Sequence, residues 1–193
     1  MKFTQIPTTA MEEMQLNAGV LLSNFTPSTA EVSGIIGATT GGIKFSATPT
    51  YSDFGEDIDN CPKNMMELKR QDSIEVKISG TFVTVTTAVA KKLMAAADIG
   101  TSDQTKITPS NDLKTEDFAD LWWVGDYSDK NGATNGGFVA IHVMNALNTG
   151  GFQLQSGDKS KGQFAFEFTG HYSIENQDVV PYEVYIKAGT AEG

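Results

Sequence analysis

Polar and apolar residues alternate most cleanly between residues 71 and 82. There Ile74, Val76, Ile78 and Phe82 interleave with Ser73, Glu75, Lys77, Ser79 and Thr81. A period of two predicts a strand with one buried face. Past Phe82 the phase flips, and Val83 and Val85 carry the apolar positions against Thr84 and Thr86. A one-residue slip sends every later side chain to the opposite face, so a β-bulge or bend is expected within residues 80–83, starting at Gly80. Thr87 then caps a helix of about eleven residues, with Val89, Ala90, Leu93, Met94 and Ala97 as its apolar stripe. So short a helix is marginal alone and must lie against a sheet.

The remaining pattern is mostly strands. Residues 1–14 have no period and read as an extended arm. Leu16, Ala18, Val20 and Leu22 alternate as a first strand, Pro27 and Ser28 turn the chain, and Ile35, Ile36 and Ala38 form a short second one. After Gly41 and Gly42, the residues Ile43, Phe45, Ala47 and Tyr51 alternate with Lys44, Ser46, Thr48 and Thr50. Pro49 lacks a ladder donor and places that strand at an edge or ends its pairing. Residues 53–70 show no strand period and are long for a connection, while 100–115 read as a polar surface loop. Residues 121–127 form a strand, followed by two Asn-Gly steps (Asn131, Asn135) suited to hairpin turns. Residues 138–147 are apolar on both faces and belong in the centre of a sheet. Phe164, Phe166 and Phe168 then share one side of a strand, against Ala165, Glu167, Thr169 and His171. Tyr182, Val184 and Ile186 close the set opposite Glu183, Tyr185 and Lys187. The expectation is a mainly β fold: a β-sandwich or partial barrel with one flanking α-helix. It comprises an arm over 1–14 and a single domain over 15–193, with a long loop at 53–70.

Composition narrows this little, but charge changes it. A chain of 193 residues suits one substantial domain. Cys61 is the only cysteine, which excludes an internal disulfide framework and fits a reducing compartment. Residues 1–14 lack the apolar core of a signal peptide, and the apolar run at 138–147 is too short to span a bilayer. A soluble protein, intracellular when made, is expected. The net charge of −10 is uneven. Asp53, Glu56, Asp57 and Asp59 stand within eight residues, 53–60, without a base, and residues 98–129 carry eight acids against Lys106 and Lys114. That balance argues against wrapping nucleic acid, which needs a basic stripe, but allows DNA to pass nearby without sticking.

Candidate chemistry is sparse. The run 53–59 offers clustered oxygen ligands for calcium but lacks the spacing of an EF-hand loop, so it reads as a solvated or interface loop. His142 and His171 each sit in an expected strand without a second ligand at metal spacing, and read as satisfied sheet residues. Cys61 has no base partner. The glycine turns lack the Lys and Ser/Thr of a phosphate loop. Trp122 and Trp123 point to opposite faces of a strand, one into the core and the other over an edge or towards a partner. No catalytic constellation, metal site or cofactor is expected.

Four stretches carry a resemblance: GATTGGIKFSATPTYSDFGEDIDNCPKN, SGTFVTVT, WWVGDYSDKNG and GQFAFEFTGHYS. Together they resemble the major tail, or tail-tube, proteins of long-tailed phages and prophages of Gram-positive bacteria, from about residue 15 onward. The resemblance implies a β-sandwich with one helix, assembling into hexameric rings that stack into a hollow tube for DNA. It implies as partners other copies of the chain, tail proteins such as tape measure and terminator, and DNA passing without specific binding, in a virion tail assembled in host cytoplasm. The arm and the long loop would reach adjacent subunits or rings, which singles out Asp53, Glu56, Asp57, Asp59, Lys63, Lys69 and Arg70. The acidic start and basic end of that loop permit head-to-tail pairing. An acidic lumen lets DNA slide, and Glu75, Glu167 and Glu183, on non-core faces, are the candidate lumen residues. Two other readings stand beside this one: the tube of a contractile tail or injection system, and a monomeric β-sandwich binding sugar through Trp122, Trp123 or Tyr127. A hydrolase has no residue to nominate.

Overall fold

The computed structural model describes Phe3, residues 5–128 and residues 136–189. The Asn-Gly turn chemistry at Asn131 and Asn135 lies outside the described residues. In strand β4 (Lys69–Phe82) the alternation does what its period requires. Val76, Ile78 and Phe82 are fully buried, with Gly80 on the same side. A Cβ on Gly80 would come within 2.8 Å of Phe166 Cζ, so close ring packing excludes any side chain there.

The β4 hairpin partner is β3 (Thr39–Asp53), a 15-residue edge strand that contains Pro49, as expected. On its other side β4 pairs with β10 (Gln163–Gly170), which carries the Phe164, Phe166 and Phe168 comb, with β9 (Gln153–Gln155) beyond it. The first layer holds β1 (Gln15–Thr26), β2 (Glu31–Ile35), β7 (Ala119–Tyr127), β8 (Gly137–Asn148) and β11 (Tyr182–Lys187). All nine strands join into one sheet, ordered β2-β1-β7-β8-β10-β4-β3, with β11 on β8 and β9 on β10.

That sheet cannot be flat. Leu21 on β1 and Val76 on β4 lie four strand spacings apart, roughly 19 Å at the usual interval. They nevertheless share one buried cluster with Leu121, Val143, Phe166 and Phe168. The sheet therefore folds over its own apolar face into a sandwich. Strand β8 is the corner: residues 138–143 pair with β11, and Leu147 and Asn148 pair with β10. Helix α1 (Thr87–Met94) closes the sandwich, burying Val89, Ala90 and Leu93.

Asn148 locks this corner. It is 3% exposed. Its Nδ2 donates to Leu93 O at 2.6 Å and Gly151 O at 3.0 Å, while its Oδ1 accepts from Glu167 N at 2.9 Å. One amide thus ties the helix, the turn after β8 and the neighbouring layer.

Several expectations need correction. The bend expected within residues 80–83 is present at Val83, where the backbone N–H donates to Ala38 O, but strand β4 ends there instead of continuing beyond Phe82. The β4–β10 ladder is regular over 76–82. The irregularity sits on the facing strand β3, where Gly41 and Gly42 (φ 75° and 83°) bulge opposite Thr81 and Gly80. The phase flip marks the end of a strand, not a change of face within one. The helix is capped by Thr86, whose Oγ1 accepts from Val89 N at 3.2 Å, rather than by Thr87. It spans only eight residues, ending at Ala95 with φ 60°. Ala97 instead begins β5 (Ala97–Ile99), which pairs with β6 (Ile107–Pro109) inside the stretch expected to be loop. The alternation in β1 breaks at Asn17 and Gly19, both at positive φ, so that Leu21 and Leu22 are buried on opposite faces. Val184 and Ile186 point to the core side of β11 but remain exposed, because the second layer does not extend over them.

Replacing Asn148 with the similarly sized leucine leaves Leu93 O and Glu167 N without that partner in a buried corner. Asn148→Leu is expected to destabilise the fold by about 2–4 kcal/mol in urea denaturation, given the cost of orphaned buried polar groups.

Candidate functional site

The 53–70 segment is a root and a tip. Asp53 and Lys69 are paired residues at the ends of β3 and β4, as are Ser52 and Arg70, so the segment opens as a hairpin loop beyond them. The Asp53 carboxylate organises that loop, accepting from Gly55 N at 2.9 Å and Asn64 N at 2.8 Å. Those two backbone donors, foremost Asn64, hold its pKa below the usual aspartate value.

The basic residues are used inside the chain. Arg70 donates to Asp72 at 3.0 Å and lies over the Phe54 ring; Lys69 lies over Tyr51; Lys63 is 3.8 Å from Glu56. Asp57 and Asp59 make no ion pair among the described residues. The loop is therefore not a free acidic half beside a free basic half: its root is self-neutralised and its tip is acidic.

The two outer sheet faces differ in chemistry. On the layer of β3, β4 and β10, the outward residues include Ser46, Thr48, Ser79, Thr81 and Thr169. Glu75 and Glu167 meet there, with the Lys77 ammonium between them at 2.9 Å and 3.7 Å. Hydrogen bonding to Glu75, aided by the charge of Glu167, raises the Lys77 pKa. Glu183 is not part of this face. It projects from β11 on the outer face of the other layer, opposite His142 in register.

That second face is aromatic. Leu22, Phe25, Trp122, Phe138 and Ala140 form a closed cluster with Tyr185 beside it. Trp122 is 7% exposed and stacks on the His142 ring, centroid to centroid 4.1 Å. Trp123 faces the main core and donates its indole N–H to Ala18 O at 3.0 Å. With Trp122 covered and Trp123 engaged, neither offers the open ring on which a sugar would stack.

Sequence reasoning missed the polar array on this face. His142 Nε2 is 3.1 Å from Asp120, its Nδ1 is 3.6 Å from Glu183, and Tyr185 Oη donates to the same Glu183 oxygen at 2.5 Å. That hydrogen bond raises the Tyr185 pKa. The array was invisible because its members come from β7, β8 and β11, and only the register between these strands brings them together. It lacks the serine or cysteine that acyl transfer would place on the histidine. Nε2 is hydrogen-bonded to Asp120, but Nδ1 is buried without a hydrogen-bond partner, so His142 is not the satisfied sheet residue expected. His171, by contrast, is satisfied as expected, with Nδ1 3.1 Å from Asn145 O.

No group of three metal-ligating side chains gathers among the described residues, and no described helix is long and apolar enough to cross a membrane. An open groove of about 200 Å³ lies between α1 and the turn at Thr115–Asp117, lined by Lys91, Lys92, Ile99 and Asp117. Burial lowers the Lys92 pKa, and the adjacent Lys91 adds to the effect. The groove is smaller than the roughly 300–1,000 Å³ of a typical small-molecule site. No protein-family model matches the chain, and no curated protein matches it in sequence.

Because the Asp53 pKa is depressed, its contribution to loop order is complete above the ordinary value of 3.8 and is lost as the pH falls through the depressed value. The Gly55 and Asn64 amides are expected to stay protected from hydrogen exchange at pH 5 and to lose protection in strong acid. Asp53→Ala removes that protection at every pH, which NMR exchange measurements check.

Proposed function

We propose that this chain is a structural subunit of a phage-type tail tube, assembling with copies of itself into stacked, hexameric rings around a channel for DNA. The observation that carries the reading is the sheet itself. Strands β9 and β11 each pair on one side only. The path of the sheet ends in the open strands β2 and the 15-residue β3, and β3 is extended by a projecting loop. Unpaired edges of that length template association with further chains, and closure of a ring removes them. The resemblance over residues 15–193 supports the same reading, as does a surface whose polar arrays serve strand-to-strand contacts.

The face bearing Glu75, Lys77 and Glu167 suits the wall of the channel. It is hydroxyl-rich, and its central lysine is held between two carboxylates. At Lys77 such a wall offers no unopposed cation to hold a passing phosphate backbone. Lys44, exposed and paired with Ser79 in register on the same face, is the cation there that makes no ion pair among the described residues. Glu183, on the aromatic face of the other layer, does not share that wall.

Negative-stain electron microscopy of the purified protein tests the reading. Rings or hollow tubes are expected, and a protein that stays monomeric at high concentration sinks it. The channel assignment has its own check. Tubes carrying Glu75→Lys and Glu167→Lys are expected to retain double-stranded DNA in a salt-sensitive manner in filter-binding assays, whereas unmodified tubes release it. Equal retention by both would place this face elsewhere.

A further inference from the structure

The two ends of the β3–β4–β10 layer are chemically opposite. Beyond one end, past Asp53 and Lys69, projects the loop tip with Glu56, Asp57 and Asp59. Around these acids Ile58 and Met66 are 51% and 81% exposed. Strand β10 runs antiparallel to β4 and begins where β4 finishes, with Phe164 opposite Phe82. The β9–β10 turn therefore emerges at the far end of the layer. At the strand rise of about 3.3 Å per residue, the 14 residues of β4 set the two ends roughly 40 Å apart. That turn carries Lys159 and Lys161 against the single acid Asp158. Leu154 on β9 lies beside it, 56% exposed.

Both ends are unsatisfied within the chain. The bases at the root of the loop are taken up by Asp72, Glu56 and aromatic rings, which leaves Asp57 and Asp59 without cationic partners among the described residues. Lys159 and Lys161 likewise make no ion pair among the described residues. Each end joins apolar side chains to charge, and the signs are complementary.

We propose that the acidic loop tip of one copy docks on the Lys159–Lys161 turn of the next, head to tail along the strand direction. Asp57 and Asp59 face the two lysines, and Ile58 packs towards Leu154. This rests on the self-assembly reading above and identifies the surface that receives the loop. A contact between two different patches of identical chains propagates, because each added copy presents a fresh acceptor. Opposite ends of the strand axis make this the contact that lengthens a stack. Its charged part is screened over about 8 Å at physiological ionic strength, so growth weakens as salt rises.

The test uses three proteins: wild type, a tip variant (Asp57→Lys with Asp59→Lys) and a turn variant (Lys159→Glu with Lys161→Glu). All substitutions are on exposed segments, and circular dichroism checks that each variant is folded. Wild type is expected to elongate in sedimentation and negative stain, while each variant alone loses elongation. Mixing the two variants is expected to restore it, since a lysine tip then meets a glutamate turn and an aspartate tip meets a lysine turn. If folded variants elongate like wild type, or fail to co-assemble on mixing, the docking proposal is overturned while the tube reading stands. If wild type itself forms no assembly, the tube reading fails and takes this contact with it.

Discussion

The fold depends on one buried amide at the point where a single sheet changes layers. Strand β8 pairs with β11 through its first half and with β10 at its last residues, and Asn148 sits at that handover. An apolar residue there would leave the Leu93 carbonyl and the Glu167 N–H without a partner, because at a corner the regular ladder cannot serve both. Asparagine offers a donor and an acceptor on one short stem, so it closes the helix, the turn and the second layer together. With the corner held, Leu21, Val76, Leu121, Val143 and the phenylalanines of β10 meet in one apolar core.

Folding at that corner also divides the surface. One outer face closes over Trp122, Phe25 and Phe138, with His142 laid flat on the tryptophan and bracketed by Asp120 and Glu183. The other stays polar, with one lysine between two glutamates. The same fold sends the long β3–β4 hairpin and the short β9–β10 hairpin out of opposite ends of one layer. A molecule built this way concentrates its unsatisfied groups at edges and tips rather than in a pocket, which is the distribution that suits contact with further copies of itself.

Much of the architecture was legible because strands with one wet face announce themselves. The alternation in β4 and the phenylalanine comb of β10 were read with their buried sides correctly assigned, as was β3 from Ile43 to Ala47, whereas Tyr51 lies past a register shift at Thr50 and is exposed. Misreadings arose where local pattern and packing disagree. Val83 and Val85 mimic a shifted strand, but the backbone leaves the sheet at Val83. In β11 the apolar residues Val184 and Ile186 stay exposed while Tyr185 joins the aromatic face, since what covers a residue depends on where the opposite layer stops. The candidate loop was located, and the acids of its tip were identified. That its bases are spent on Asp72, Phe54, Tyr51 and Glu56 required coordinates.

By itself the sequence determined the β class, the single helix, the central position of β8 and the acidic tip. Each of these follows from spacing within a few consecutive residues, where side-chain direction is set by backbone period. Tertiary structure alone decided which faces lie together: that Glu75 and Glu167 share Lys77 while Glu183 stands with His142, and that the acidic tip and the Lys159–Lys161 turn point apart. These are consequences of register and of the fold at Asn148. Register between distant strands is chosen by the whole core at once, and no short stretch of sequence carries it.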